Sequence, residues 1–149
     1  MLKEKRSPSQ PRKLGTLVGI QRSGIMTKVK ICGLTRIEDI ECANKIRPDY
    51  VGMVFYPKSK RAVTLEQAAS LKAALDKSIK AVGVFVNAES SFIAHLAQAG
   101  TIDVIQLHGD EDEAYIEQLR QQVAPLGVPI IKAIRVQSEI GRASCRERV

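Results

Sequence analysis

Five side chains in this sequence have chemistry to offer. They are Lys30 and Cys32 in "TKVKICGLT", Arg61 closing "YPKSKR", and Gln106 and His108 in "VIQLHGDE". Lys30 and Cys32 are two residues apart, as are Gln106 and His108, so in extended strands each pair projects from one face. A thiol, once ionised, takes protons or attacks carbon; imidazole and amide groups hold a substrate; a guanidinium fork fits a carboxylate. A half-buried strand would normally make such a face apolar, so polar residues there suggest a lined cavity. Each residue also has a plainer reading. A lone cysteine is most often a small buried hydrophobe, and "PKSKR" alone would be a solvated charge run. Cys42, among Ile40, Ala43 and Ile46, reads as helix core; His95 reads as a helix-surface residue, and Lys58 and Lys60 as surface charges.

These residues need strands to carry them. Short apolar runs fall at Val29–Cys32, Asp49–Phe55, Ile79–Val86, Asp103–His108 and Pro129–Ile134, with helical spacing between them near 36–46, 65–76, 89–99 and 111–123. Thr35 with Glu38, Thr64 with Gln67 and Asp110 with Glu113 have capping-box spacing. Strands begin about 20–30 residues apart, which suits βα units and therefore parallel strands with right-handed crossovers. Alternation then puts Lys30, Cys32, Gln106 and His108 on an inner face and Val29, Ile31, Ile105 and Leu107 on an outer one. Lys132, sharing a face with Ile130 and Ile134, reads as a third polar inner position. The second and third strands are apolar on both faces and cannot be assigned.

Composition narrows the function. Of 149 residues, 44% are hydrophobic and 26% charged, ordinary for a globular domain. The net charge of +7 lies in the ends: residues 26–138 carry fourteen Lys/Arg against thirteen Asp/Glu. Nucleic-acid binding, which needs positive charge on the folded surface, is not expected. Three cysteines without CxxC spacing argue against a disulfide framework or zinc site and for a reducing, cytoplasmic setting. No run approaches the roughly 20 apolar residues of a membrane span. Residues 1–25 mix Pro, Ser, Gly and Arg without period and read as a flexible leader or linker, with Met26 a second available start. After the fifth strand "EIGRASCRERV", residues 139–149, has neither amphipathic period nor cap and reads as a non-native tail that includes Cys145.

Two α/β architectures accommodate four βα units and a fifth strand. One is a flavodoxin-like doubly wound sheet; the other is a (β/α)8 barrel taken just past half way. A receiver-type sheet would want acidic residues at its first and third strand ends, where this chain has Cys32-Gly33 and Val86-Asn87; "CGLTR" is neither GxGxxG nor a P-loop.

In order along the chain, "KICGLT", "DYVGMVFYPKSKR", "VGVFVN" and "VIQLHGDE" resemble phosphoribosylanthranilate isomerases, the (β/α)8 enzymes of tryptophan biosynthesis. The resemblance covers residues 26 to about 138 and implies a TIM barrel, represented here by its N-terminal part. It further implies an Amadori rearrangement of N-(5-phosphoribosyl)anthranilate, a small phosphorylated sugar–anthranilate substrate, with no cofactor and no metal. By that resemblance Cys32 is the general base, Arg61 holds the anthranilate carboxylate, and Gln106 and His108 line the substrate site. Lys30, on the face of Cys32, is expected to supply positive charge there. The family's general acid is an aspartate on the sixth strand, which the 149 residues do not include, so the chain as written is expected to be an inactive part of the enzyme. Its open first and fifth strands would invite self-association, and the leader would suit a linker from a fused tryptophan-pathway enzyme. A receiver-type domain or a half-barrel pairing module without catalysis is the alternative.

Overall fold

The computed structural model describes residues 27–134; the proposed leader, 1–25, and tail, 139–149, lie outside them. Five strands, β1 (Lys30–Cys32), β2 (Tyr50–Phe55), β3 (Lys80–Phe85), β4 (Val104–Leu107) and β5 (Ile130–Lys132), alternate with four helices. These are α1 (Ile37–Ile46), α2 (Leu65–Ala74), α3 (Ser90–Gln98) and α4 (Glu113–Val123), with a 3-10 turn at Ala124–Leu126. Every strand pairs parallel to the next, in the order β1-β2-β3-β4-β5.

That order and the placing of the helices choose between the two architectures. A flavodoxin-like sheet reverses direction at a switch point and carries helices on both faces. Here all four helices pack on one face. Ile40 and Ala43 of α1, Ala68 and Leu71 of α2, Ile93 and Leu96 of α3, and Leu119 and Val123 of α4 share one core with Val51, Met53, Phe55, Ala81, Phe85, Ile105 and Leu107 of the sheet. Phe55 and Phe85, paired in register, stack at 5.2 Å between ring centroids, and Phe92 meets both edge-on. Val54, Val82, Val84 and Val104 form a second, smaller cluster flanked by Tyr50 and Tyr56. A sheet covered by helices on one face, with its strands in sequential order, is the first part of a (β/α)8 barrel, whose inner face packs side chain on side chain.

The local start signals hold in part. Thr64 caps α2 reciprocally: Gln67 N donates to Thr64 Oγ1, and Thr64 N to Gln67 Oε1. The other two expected boxes do not form. The extended cap residue of α1 is Arg36, one residue after Thr35, and its guanidinium pairs with Asp39 while no side chain caps the helix. The cap of α4 is Asp112, which accepts from Tyr115 N, because Asp110 and Glu111 are drawn into the loop network described below. Cys42 is exposed rather than packed. It sits two residues, about 200° around the helix, from Ile40, and only Ile40 and Ala43 of α1 are buried. His95 is exposed, as expected.

Candidate active site

Cys32 ends β1 and pairs in register with Gly52, which pairs with Val82, a member of the inner valine cluster. Paired residues of a parallel ladder project to the same side, so the thiol faces inward, away from the helices. A Cβ at Gly52 would lie 2.6 Å from Cys32 Sγ, a contact that forces something to shift, and 3.2 Å from its Cα, which is tight. Glycine inside a strand commonly marks such a close approach. At Gly52 the missing side chain is the space in which the thiol sits. Cys32 remains exposed to solvent.

Arg61 is brought to the same place by its loop. After β2 the chain turns at Tyr56–Ser59, Ser59 Oγ accepts from Arg61 N, and Val63 N returns to Val54 O at 3.0 Å. Arg61 Nη1 then donates to the carbonyl of Cys32 at 3.0 Å. The guanidinium lies over Gly33, whose φ of 85° is left-handed and where a Cβ would meet Arg61 Nη1 at 2.7 Å. "CG" in β1 and "KSKR" after β2 are thus two halves of one contact. Arg61 is not a member of a diffuse charge run, while Lys58 and Lys60 are exposed, as expected.

The remaining three candidates meet across the inner face. Lys30 Nζ donates to Gln106 Oε1, and Gln106 Nε2 lies 3.4 Å from His108 Nδ1. On a flat sheet β1 and β4 would be about 14 Å apart, three strand spacings. The contact therefore requires the sheet to curl with this face concave, as in a barrel. The ammonium expected beside the thiol is engaged by Gln106, and the cation in contact with Cys32 is Arg61.

Lys132 does not join them. It pairs in register with Leu107, on the helix-covered face, and its neighbour Ile131 pairs with Gln106 on the concave one. From there Lys132 Nζ donates to Glu111 Oε2 and to Gly109 O, both at 2.6 Å. Glu111, whose side chain is 1% exposed, also accepts from Asn87 N at 2.8 Å and from Gly109 N at 3.0 Å. Asn87, left-handed at φ 48°, accepts on Oδ1 from Asp110 N, and Tyr115 Oη donates to Ala88 O. One buried carboxylate thus ties together the loops after β3 and β4 and the end of β5. Burial by itself raises the Glu111 pKa, but the hydrogen bonds from Lys132, the Asn87 amide and its own amide, with the charge of Lys132, outweigh it and hold the carboxylate below its usual range. Burial raises the Tyr115 phenol.

Sequence reasoning missed this hub and Gly52. The signals were a glycine within the apolar run "YVGMVF" and the recurrence of Asn and Gly-Asp-Glu just past two strand ends. Asp103, by contrast, lies at the opposite end of the sheet, where it accepts from Lys72 Nζ and Ala81 N. Among the described residues no group of three or more His, Cys, Asp or Glu could hold a metal ion. None of their helices is long and apolar enough to cross a membrane.

Residues 29–149 match the family described as N-(5'-phosphoribosyl)anthranilate (PRA) isomerase. Relatives bearing that name from Thermoanaerobacter sp. (strain X514) and Clostridium kluyveri (strain ATCC 8527) are 49% and 48% identical over 114 and 124 residues, covering 76% and 83% of this chain. Those stretches are 53% and 55% of the relatives, so the chain spans about half the length of the curated relatives it matches. The crystal structure of phosphoribosyl anthranilate isomerase from Thermotoga maritima superposes with a TM-score of 0.72 at 35% identity, over 80% of this chain and 56% of that one. A phosphoribosyl anthranilate isomerase solved with reduced 1-(o-carboxyphenylamino)-1-deoxyribulose 5-phosphate superposes at 0.70 and 37%, over 80% and 59%. With a sequential parallel sheet, helices on one face and an inward thiol at the end of β1, the chain belongs to the N-(5'-phosphoribosyl)anthranilate isomerase family.

Proposed function

We propose that the protein carrying this chain converts N-(5-phosphoribosyl)anthranilate into 1-(2-carboxyphenylamino)-1-deoxyribulose 5-phosphate, an Amadori rearrangement in tryptophan biosynthesis. The observation that carries the reading is the Cys32 thiol: inward-facing, solvent-accessible, at the carboxyl end of β1 and in the space left by Gly52. Active sites of (β/α)8 enzymes lie at that end of the strands. The relative solved with a reduced form of the product supports the choice of substrate.

In this reading Cys32 is the base. Once the furanose ring has opened to the imine, the thiolate takes the hydrogen of carbon 2 as a proton. The electron pair of that C–H bond becomes the C1–C2 double bond while the C1–N π pair returns to the protonated nitrogen, and the resulting enaminol tautomerises to the ketone. No electrons leave the substrate, so no redox partner is required. Protonation of the ring oxygen falls to the acid that the family carries on its sixth strand. Arg61, an arm's length from the thiol through the Cys32 carbonyl, presents a fork suited to the anthranilate carboxylate. Gln106 and His108 line the wall across the concave face and meet the sugar side. The exposed, unpaired thiols Cys32 and Cys42 suit a reducing cytoplasm. Among the described residues β1 and β5 each pair on one side only, and Val29, just before β1, and Ile131 on β5 are about half exposed. The 149-residue chain alone is expected to self-associate through these edges.

The test is a completed barrel, residues 26–134 joined to the second half of the Thermoanaerobacter relative, placed in a tryptophan auxotroph lacking the isomerase. Growth that depends on Cys32 supports the reading. A folded, soluble chimaera with no turnover, or one whose Cys32→Ala form still supports growth, rejects it.

A further inference from the structure

We infer that Lys30 and Gln106 form a positioning relay that fixes the tautomer of His108, so that the imidazole presents Nε2–H to the substrate as a hydrogen-bond donor. The inference deepens the proposed function and rests on it for the identity of what His108 meets; the relay itself stands on the geometry alone.

Donor and acceptor chemistry alone fixes the arrangement. A lysine ammonium has three donors and no acceptor. The Gln106 atom facing Lys30 Nζ is therefore the carbonyl, Oε1, which settles an amide orientation that electron density alone seldom does. With Oε1 committed, the NH2 group is what faces His108 Nδ1, at 3.4 Å. An amide nitrogen only donates, so Nδ1 must accept, and the single proton of the neutral ring sits on Nε2. Had Lys30 been aliphatic, the Gln106 amide could rotate and present either atom. Charge on β1 is thus converted, across two intervening strands, into the handedness of an imidazole on the far wall.

The consequence is a division of labour. A His108 carrying its proton on Nε2 and accepting on Nδ1 has no ring nitrogen free to take a proton. It binds an oxygen of the substrate, a hydroxyl, carboxylate or phosphate oxygen, and leaves proton abstraction to Cys32. Among the described residues Nε2 has no protein partner, and His108 is exposed at the rim.

The chain contains only two histidines, which makes the test direct. Histidine-selective ring 15N labelling of the 149-residue chain, and of the completed barrel, gives two imidazole spin systems from this sequence, each with two nitrogens; above the imidazole titration range of about 6.5 their two-bond couplings report the tautomer. His95, exposed on α3, is the internal standard for an averaged ring. In the wild type His108 should show an acceptor-type Nδ1 well displaced from the His95 average. Gln106→Glu, which puts an acceptor where the NH2 was, should move the proton to Nδ1, and Lys30→Met should return His108 toward the His95 average. His95 should not change. A His108 that matches His95 in the wild type, or that ignores both substitutions, overturns the relay. This readout requires no turnover, so it separates failure of the relay from failure of the isomerase reading.

Discussion

The two ends of the sheet use the same device for different purposes. At the amino end, Asp103 accepts from Lys72 Nζ at 2.5 Å and from the backbone of Ala81 at 2.7 Å, and Asp49 accepts from Val29 N. At the carboxyl end, Glu111 accepts from Lys132 and from the backbone of Asn87 and Gly109. Both are a carboxylate satisfying a lysine and strand-end amides. The Asp103 side chain is 28% exposed and ties α2 to the start of β3, whereas the Glu111 side chain is 1% exposed. Cys32 and His108 are exposed at the carboxyl end, the thiol over a glycine that makes room and within reach of an arginine. The amino end is used for stability, whereas the carboxyl end is stabilised from behind and leaves open the front on which the proposed chemistry falls.

Several changes would break or sharpen that contrast. Glu111→Ala leaves the partly buried Lys132 ammonium with only the Gly109 carbonyl and takes the acceptor from the amides of Asn87 and Gly109, and should cost about 3 kcal/mol, measured by urea unfolding. Asp103→Ala, at a wetter site, should cost about 1–3 kcal/mol; equal losses at the two ends would erase the distinction. Gly52→Ala drives a methyl into Cys32 and should cost about 1–3 kcal/mol by overpacking. In the completed barrel it should lower kcat by more than that loss of stability explains, because the atom displaced is the proposed base.

Acid should also tell the ends apart. Glu111 binds its proton less tightly in the folded chain than in the unfolded one. As pH falls, the unfolded chain takes up that proton first, so the stabilisation is whole above the ordinary value of 4.5 and is lost as pH drops through the lower, folded value. Glu111→Gln should flatten this part of the pH profile of urea midpoints; a profile unchanged by the substitution would assign the acid sensitivity elsewhere. The smallest effect is at a helix start. Thr64→Ala should cost about 1 kcal/mol, and Thr35→Ala, which removes no cap, should change stability by less than about 0.5 kcal/mol.

Much of this was legible in the sequence, and what was not has physical reasons. The five strands and four helices follow from apolar runs and spacing, with ends shortened by a residue or two. Alternation put Lys30, Cys32, Gln106 and His108 on one face because β1 and β4 carry polar residues on that face only. It said nothing for β2 and β3, whose faces are both apolar because one packs on helices and the other fills the barrel interior. It misplaced Lys132, since a polar residue at a strand end can belong to a buried ion pair behind the sheet as readily as to a cavity in front of it. Glu111 fell within the helical stretch expected over 111–123 for a related reason: spacing cannot distinguish a carboxylate that caps α4, as Asp112 does, from one that reaches back to two loops and a strand. Cys42 failed because Ile40 and Ala43 bury another face of α1, while Ile46, which shares its face at i+4, is itself 69% exposed.

Of all measurements, the most direct is turnover of N-(5-phosphoribosyl)anthranilate by the completed barrel carrying Cys32→Ala, with its far-UV circular dichroism and unfolding midpoint matched to the parent. If the inward thiol is the base, product formation falls to background while the fold persists. Turnover within a few-fold of the parent would place the proton transfer on another group and contradict the account.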